Sequence, residues 1–587
     1  MTYRAPLPDL LASMAYARHA NGLPVETADA ALVLEQAAQL AEEVLAPLDA
    51  VGDRHGVTLT DDGVRTPPGW PDAYRAWIAG GWNGLAAPEE AGGSGLSLTL
   101  NAACFEIWSG ANLAFALAGL LSAGAIEALH RHGSAALRSA YLSNLVSGAW
   151  PGTMNLTEPQ AGSDLAALRC RAERAPGGSY RIFGQKIYIT YGDHDMAENI
   201  LHLVLARLPD APAGTRGISL FLVPKRVPDA DGHLGPLNDL RCVGIEKKLG
   251  MHGAPTCTMA FGDRDGATGF LVGEEHKGLA CMFTMMNNAR LSVGIEGVAA
   301  GEAATQKAVS FARDRRQGRG LGPDATAVPI IEHPDVARML MTMKSSTAAA
   351  RCLCHLTAAA LEAAQRGPEE TRQAAADRAA LLTPVAKAFS TDLANETASL
   401  GVQVHGGMGY IEETGAARIL RDIRIAAIYE GTNGIQAIDL VTRKLSFGQG
   451  AVLAREIADM RRVVALMAER SDAGFGVAGA RLASAIDAVE GCAALLRDRL
   501  KAAPAEALAV ASPFLRLFGL ARGGSALAEL ALQMSQDGNP RLLGLARFFA
   551  ETLVPESAGL DLAIRHAGAR LAQEPDAWLK ILDIDAC

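Results

Sequence analysis

The chain has 587 residues, of which 49% are hydrophobic, and its formal net charge at pH 7 is −10. This length is more than one hydrophobic core supports, so we expect two to four domains, mostly helical because alanine and leucine are abundant. The negative charge argues against nucleic acid or an anionic membrane as the main partner.

Residues 1–150 are predicted to form an N-terminal helical domain. The first twenty residues are broken by polar and charged side chains and lack the apolar segment of a signal peptide, which favours a cytoplasmic protein. Residues 107–126 carry no charge and are long enough to cross a membrane. Their glycine, serine and asparagine residues, flanked by Glu106 and Glu127, predict one or two buried helices and no membrane span.

Between residues 151 and 275 the pattern changes to short β-rich runs separated by turns, at 180–190, 200–205, 217–224 and 256–261. These runs predict a compact, antiparallel middle β domain. No Gly-x-Gly-x-x-Gly sequence follows a predicted strand, so a Rossmann-type nucleotide site is not indicated.

Residues 276–447 are predicted to be a helical bundle, with long helices at 278–313, 334–367 and 369–403. Gly406 and Gly407 end the last of these, because glycine tolerates the backbone angles of a tight stop. After a short helix, Glu430 falls in a turn before a further helix, for which Thr432 is the N-cap and residues 435, 438, 441 and 445 form the apolar face. Glu430 would thus lie at the positive end of a helix dipole, the ordinary place for a surface carboxylate.

Residues 448–587 are predicted to add an extra C-terminal helical domain. Helical apolar spacing occurs at 454–469, 481–501, 515–534 and 541–571. The segment holds no catalytic constellation, so we expect it to cover the core helices of its own chain. Nine cysteines are scattered without a regular spacing, and the pair at 352 and 354 has no second ligand pair at zinc spacing. Reduced thiols and no metal are therefore expected.

Two sequence signatures resemble those of the acyl-CoA dehydrogenases. MNLTEPQAGSDL at 154–165 is followed, in the same order as in that family, by QVHGGMGY at 403–410, RD at 421–422 and IYEGTNGIQ at 428–436. The resemblance is strong over residues 30–445. It implies a mainly α fold with a central antiparallel β domain: an N-terminal α domain, a middle β domain and a C-terminal four-helix bundle. It also implies FAD as the cofactor.

The resemblance assigns roles to residues of both signatures. The first runs past the flavin ring in this family, so Thr157 would bond the flavin and Ser163 would reach the CoA arm. In the strand KIYIT, Tyr188 replaces the usual tryptophan as the ring that packs on the flavin, and the Thr190 hydroxyl would meet flavin N5. The implied cofactor residues are Met154, Leu156, Thr157, Gly162, Ser163, Tyr188, Ile189, Thr190, Arg315, Gln317, Gln403, Gly406, Gly407, Thr432 and Asn433. The implied substrate residues are Ser163, Asn287, Arg290, Tyr429 and Gly431.

The run FARDRRQG resembles the family's motif for the FAD diphosphate of a neighbouring subunit, and it maps to Arg315 and Gln317. A guanidinium suits a diphosphate because it donates two bonds and stays charged. A homodimer is implied. Gly318 and Pro334 replace a phenylalanine and a glutamine of the family, and residues 319–328 look like an inserted loop, so how the AMP half of FAD is held stays open.

The implied reaction is α,β-dehydrogenation of an acyl-CoA to the trans-2-enoyl-CoA, a step of fatty acid β-oxidation. Glu430 would remove the α-proton while flavin N5 accepts the β-hydride. Some relatives place the base just before Arg290, but that residue is Ala289 here, which cannot act as a base.

The resemblance defines the acyl group and the electron acceptor less closely than it defines the reaction. The C-terminal extension and strings such as KIYITYGDHD resemble long family members that act on 3-methylmercaptopropionyl-CoA. That thioester or a medium- or long-chain fatty acyl-CoA is the expected substrate, with an electron-transfer flavoprotein as acceptor. An acyl-CoA oxidase, which passes electrons to oxygen, is the first alternative. A flavin-containing, DNA-associated relative is the second, and the absence of a basic cluster in the tail disfavours it.

Overall fold

A computed structural model describes residues 3–25, 28–229, 231–321, 326–470, 474–534 and 540–568. The chain divides into two compact units, one made of residues 6–32 with the chain from 293 onward, and the other of residues 3–5 with 33–292. The predicted domain boundaries near residues 150, 275 and 447 stay a prediction.

The fold combines long helices with one large sheet. The helices are α1 (Leu7–His19), α2 (Ala28–Leu40), α3 (Ala46–His55), α4 (Trp70–Ala79), α5 (Leu98–Ala111), α6 (Leu113–His132), α7 (Ala135–Leu137), α8 (Ser143–Ser147), α9 (Gly278–Asp314), α10 (Pro334–Arg366), α11 (Glu369–His405), α12 (Ala416–Ile423), α13 (Asn433–Thr442), α14 (Ala451–Glu469), α15 (Ala478–Ala502), α16 (Pro504–Ala509), α17 (Ala511–Met534), α18 (Pro540–Phe548) and α19 (Glu556–His566). The strands are β1 (Thr58–Thr60), β2 (Gly63–Arg65), β3 (Gly152–Asn155), β4 (Arg171–Arg174), β5 (Tyr180–Thr190), β6 (Leu201–Arg207), β7 (Ile218–Pro224), β8 (Arg226–Pro228), β9 (Leu234–Leu237), β10 (Leu240–Ile245), β11 (Thr256–Phe261), β12 (Ala267–Val272), β13 (Arg316–Arg319) and β14 (Ala327–Pro329).

Two apolar helices, α5 and α6, pack in the unit that contains residues 33–292. Asn112 separates them: its backbone is extended, and its Oδ1 accepts the N–H of Phe115 at 3.0 Å, which caps α6. By length and composition α6 could cross a membrane, but 78% of its most apolar window is buried inside the protein. Such burial is typical of a core helix and confirms the prediction of buried helices in this stretch.

The same unit contains an eight-stranded sheet. Its order is β10-β11-β5-β12-β7-β6-β3, and β4 pairs with β5 and β6. Most neighbours are antiparallel, as predicted. However, β3 runs parallel to β6, with Gly152 opposite Leu201 and Asn155 opposite Val204. Strand β7 is buried along its whole length, and β6 up to its last residue, because both lie in the middle of the sheet.

Long helices dominate the other unit, where α10 and α11 pack along each other and α1 lies on α10. Helix α9 approaches α11 closely through two glycines. A Cβ on Gly294 would lie 2.9 Å from the carbonyl oxygen of Ala386, and one on Gly297 would lie 2.7 Å from that of Ser390. A larger residue at either position would push the two helices apart.

The C-terminal extension belongs to the same unit, which contains the chain from residue 293 onward. Helix α17 packs against α1, α10, α11 and α13, which confirms that the extension covers core helices of its own chain. The ring of Phe389 on α11 fits against Gly519 and Gly523 of α17, where added Cβ atoms would lie 2.4 Å and 3.2 Å from it. Helices occur as predicted in the stretch at 541–571, of which the structure describes residues 541–568. The segment turns at Val554 and Pro555 between α18 and α19, because proline has no N–H to continue the helical ladder.

Candidate active site

The loop that follows β3 is fastened to β5. The N–H of Ile187 donates to the Thr157 carbonyl oxygen at 3.0 Å, and the Thr153 hydroxyl donates to the Thr190 carbonyl oxygen at 2.7 Å. Thr157 and Thr190 are each half-buried, so the first signature and the strand KIYIT form one continuous surface.

A buried ion pair supports that loop from beneath. The Lys186 ammonium, fully buried, donates to Glu158 Oε1 at 2.8 Å and to the Leu156 carbonyl oxygen at 3.0 Å. Glu158 also accepts the N–H groups of Arg169 at 2.7 Å and Cys170 at 3.0 Å. Burial alone would raise the pKa of Glu158, but Lys186 and these N–H groups hold that pKa below its usual value. Both residues stand inside the strings that carry the family resemblance, yet their sequence positions gave no sign that they pair.

The exposed face of β5 offers an aromatic ring. Tyr188 has a φ of 59° and is 60% exposed, whereas its neighbour Ile189 is buried. An exposed ring on an ordered strand, with two half-buried threonines beside it, fits a flat, apolar ring system that needs hydrogen-bond donors at its rim. Gly162 and Ser163 are exposed farther along the loop, and Met154 is buried at its start.

Glu430 lies in the predicted turn before α13. Its φ is 54°, a left-handed value that is uncommon for a residue other than glycine, and Gly431 follows with a φ of 82°. The Thr432 hydroxyl accepts the N–H of Ile435 at 3.2 Å, so the predicted N-cap is confirmed. The predicted apolar face of α13 is partly wrong, because Ile438 is exposed and Leu445 lies beyond the helix end.

The carbonyl groups of this turn are held by two buried side chains. The Lys387 ammonium, fully buried on α11, donates to the Gly431 carbonyl oxygen at 3.0 Å and to Asn433 Oδ1 at 2.9 Å. The Gln436 amide donates to the carbonyl oxygens of Gly431 at 3.1 Å and Glu430 at 3.4 Å. These bonds offset the strain of two consecutive left-handed residues, which otherwise costs of order 1 kcal/mol for the glutamate. The sequence prediction missed both residues, although a lysine within the apolar run VAKAF was an available signal.

Asn433 is engaged within the chain. Its amide nitrogen donates to Asp392 Oδ1 at 2.7 Å and to the Ala388 carbonyl oxygen at 3.3 Å, while its oxygen accepts from Lys387. The Thr432 hydroxyl is likewise used as a cap. Asn433 therefore fixes α13 to α11 while Thr432 caps α13, and the cofactor role implied for both residues stays a prediction.

Tyr429, the residue before Glu430, reaches back to α9. Its hydroxyl donates to Oε2 of Glu296, which is completely buried. Burial and, to a lesser extent, the nearby charge of Glu430 raise the pKa of Glu296, against the Tyr429 hydrogen bond and the Lys387 charge, and together these causes bring the pKa to about 8. Burial, and then the charges of Glu296 and Glu430, hold the pKa of Tyr429 well above its ordinary value. No feature of the sequence alone singled out Glu296.

The residues implied in binding the far half of the cofactor are exposed. Arg315 and Gln317 follow the end of α9, with Arg315 Nη2 lying 3.5 Å from Gln317 Oε1. Gln403, Gly406 and Gly407 are exposed at the end of α11. Tyr410, 86% exposed, and Met408 lie next to them. An exposed arginine and an exposed apolar surface fit a diphosphate and a partner chain, respectively.

Two groups of predicted residues are therefore assembled, one in each unit. Thr157, Tyr188 and Thr190 come together in the unit that contains residues 33–292, and Tyr429 to Asn433 in the unit that contains the chain from residue 293 onward. Ala289 and Arg290 are buried on α9. The side chain of Asn287 and residues 322–325 of the predicted inserted loop lie outside the described residues, and the ends of that loop form the pair β13 and β14.

Family models match along most of the chain. The acyl-CoA dehydrogenase N-terminal, middle and C-terminal domains match residues 27–149, 153–264 and 276–446, and an acetyl-CoA dehydrogenase C-terminal-like domain matches residues 456–574. Members of this family are FAD-binding flavoproteins, and the exposed ring of Tyr188 with its flanking hydroxyls suits that cofactor.

Similar proteins with assigned names point to the same family. The chain is 44% identical to the 3-methylmercaptopropionyl-CoA dehydrogenase of Ruegeria pomeroyi, over 97% of this chain and 99% of the relative. It is 33% identical to the broad-specificity linear acyl-CoA dehydrogenase of Mycobacterium tuberculosis, over 92% of each chain.

Solved structures share the fold. Caenorhabditis elegans ACDH-11, in complex with C11-CoA, superposes with a TM-score of 0.79 at 20% identity, over 94% of this chain and 92% of that one. Butyryl-CoA dehydrogenase from Megasphaera elsdenii superposes with a TM-score of 0.58 at 25% identity, over 71% of this chain and 97% of that one. The matched models, the near full-length relatives and the shared fold together mean that this chain belongs to the acyl-CoA dehydrogenase family.

Proposed function

We propose that the chain dehydrogenates 3-methylmercaptopropionyl-CoA at its α,β bond, with Glu430 as the base. The observation that carries the choice of substrate is the near full-length match to the enzyme of that name in Ruegeria pomeroyi, because the match includes the C-terminal extension. A medium- or long-chain fatty acyl-CoA is the second candidate, favoured by the 33% identity to a broad-specificity linear acyl-CoA dehydrogenase.

Glu430 supplies the proton acceptor. Its carboxylate takes the α-proton of the thioester, and the bonds from Lys387 and Gln436 to the turn carbonyls keep the carboxylate in one place while it does so. Bound FAD supplies the hydride acceptor. Ala289, at the position that carries the base in some relatives, has no group that could replace Glu430.

The remaining site residues have binding roles in this proposal. Thr157, Tyr188 and Thr190, supported by the Lys186–Glu158 pair, hold the flavin, together with Met154, Leu156, Gly162 and Ile189. Ser163, Asn287, Arg290, Tyr429 and Gly431 contact the acyl-CoA. Arg315 and Gln317 bind the FAD diphosphate of the other subunit of a homodimer, next to Gln403, Gly406 and Gly407. The protein acts in the cytoplasm and passes electrons to an electron-transfer flavoprotein.

The test is a comparison of acyl-CoA thioesters with purified, FAD-loaded protein. We expect the highest kcat/KM for 3-methylmercaptopropionyl-CoA among that thioester and the butyryl, octanoyl and palmitoyl thioesters, with an electron-transfer flavoprotein or an artificial acceptor. A higher kcat/KM for a linear thioester would favour the second candidate substrate, a medium- or long-chain fatty acyl-CoA. Faster turnover with oxygen than with either acceptor would make the protein an oxidase and overturn the proposed acceptor.

A further inference from the structure

Glu296 is buried where α9 comes closest to α11. It lies between Gly294 and Gly297, the two glycines that let the helix backbones approach each other. A glutamate at such a contact has no access to water, so its protonation state is determined by the few groups that face it.

Those groups come from two elements. The turn before α13 contributes the hydroxyl of Tyr429, which donates to Glu296 Oε2, and the carboxylate of Glu430, whose charge acts on Glu296. Helix α11 contributes Lys387, but its ammonium is bonded to the Gly431 carbonyl oxygen and to Asn433 Oδ1. Within the described part of the chain, Glu296 Oε1 has no hydrogen-bond partner.

This arrangement suits a neutral carboxyl and not a carboxylate. A buried negative charge without a bonded cation is costly, and a second carboxylate nearby makes it costlier. A protonated carboxyl still accepts the Tyr429 hydrogen bond on its carbonyl oxygen. The pKa of about 8 that burial and Glu430 give to Glu296 agrees with this, so the group is mostly protonated at neutral pH.

We propose that Glu296 is a positioning residue for the base: its uncharged carboxyl fixes the Tyr429 hydroxyl, and through it the turn that carries Glu430, without placing a second negative charge beside Glu430. The proposal rests on the role proposed above for Glu430. When Glu296 loses its proton, the buried charge needs water or a cation, and the turn has to shift to admit one. The protein therefore loses activity as the pH rises through the ionisation of Glu296.

The experiment measures flavin reduction by substrate across pH in the FAD-loaded wild type and in Glu296→Gln, which keeps the shape and stays neutral. We expect the wild-type rate to fall at least about tenfold between about pH 7 and about pH 10, as a group with a pKa near 8 ionises. The rate of flavin reduction in Glu296→Gln should be within about threefold of the wild-type rate at about pH 7, and it should not fall as the pH rises. Tyr429→Phe should lower the rate at about pH 7, because it removes the hydroxyl through which Glu296 holds the turn. It should also move the fall in rate to higher pH, because the hydrogen bond that it removes lowers the pKa of Glu296.

A matched control is Glu302→Gln. Glu302 is a buried carboxylate on the same helix, but it is paired with Lys344 and Arg351, and those cations outweigh burial and hold its pKa below the usual value. This variant should be less stable and should keep the wild-type fall in rate. If Glu296→Gln keeps the same fall, or binds FAD but is inactive at every pH, the proposal is wrong.

An infrared titration makes the test independent of turnover. The wild type should show a protonated carboxyl C=O band that disappears as the pH rises through about 8 and that Glu296→Gln lacks. If no acyl-CoA is turned over, the proposed function is wrong, but this band still shows whether Glu296 is protonated. If turnover is found and the wild type has no such band, only the present proposal is overturned.

Discussion

The half-buried Arg378 on α11 and the buried Glu456 on α14 form a two-point ion pair. Arg378 Nε lies 3.0 Å from Glu456 Oε2, and its Nη2 lies 3.2 Å from Oε1. Arg522 of α17 donates to the same carboxylate. Burial would raise the pKa of Glu456, but the two arginines lower it to about 2. One carboxylate thus joins the catalytic bundle to two helices of the extension.

Glu456→Gln should lower the free energy of unfolding by about 3–5 kcal/mol at neutral pH, because the buried Arg522 guanidinium loses its counter-charge and the half-buried Arg378 guanidinium keeps only Asp459. The folded-state pKa of Glu456 lies below its unfolded value, so its contribution is present above about pH 4.5 and is lost as the pH falls toward about 2. Denaturant unfolding at several pH values should therefore show the gap between variant and wild type closing on acidification. Glu490→Gln, in an exposed pair with Arg461, is the control and should change stability by less than about 1 kcal/mol.

Glu158→Gln should destabilise the loop that follows β3, which is proposed to bind the flavin, because it leaves the Lys186 ammonium buried without a counter-charge. We expect a loss of about 3–5 kcal/mol and release of FAD at lower temperature. The double variant Glu158→Gln with Lys186→Met should recover part of the stability, since it removes the stranded charge. Calorimetry with flavin absorbance measures both effects, and Glu173→Gln, in an exposed pair with Arg171, is the control. A Glu158→Gln protein as stable as the wild type would contradict the supporting role of this pair.

Local signals in the sequence predicted much of the fold. Gly406 ends α11, Thr432 caps α13, and the predicted helices at 278–313, 334–367 and 369–403 differ from α9, α10 and α11 by at most two residues at each end. Such features depend on near neighbours in the chain. The partners of Lys186, Glu296 and Glu456 could not be predicted, because which buried charges meet depends on packing between distant segments. The parallel pairing of β3 with β6 is missed for the same reason.

Glu430→Gln should bind FAD and acyl-CoA but reduce its flavin about three orders of magnitude more slowly, since an amide cannot take the α-proton. Single-turnover flavin reduction by substrate is the direct measurement. Glu412→Gln, an exposed carboxylate that is paired with Arg421, is the control and should react at the wild-type rate. Flavin reduction in Glu430→Gln at close to the wild-type rate would remove Glu430 as the base.

Replacing Arg315 and Gln317 together with alanine should weaken FAD retention and dimer stability in parallel, if these exposed side chains bind the diphosphate of the partner subunit. Flavin content after gel filtration and sedimentation velocity follow the two properties. Arg338→Ala, an exposed arginine paired with Asp335 on α10, is the control. A monomeric wild type with a full complement of FAD would exclude the shared site.

The fit of Phe389 against Gly519 and Gly523 bears on how this lineage could have changed its length. Phe389 is two residues from Lys387, whose ammonium holds the turn that contains Glu430, so the extension supports the helix that holds this turn. Without α17, the Phe389 ring would lose the surface against which it packs. A shorter relative would need another packing surface for that ring, either a bulkier side chain on α10 or the surface of a second subunit. Gain or loss of the extension would then have been tied to a change in how many copies assemble.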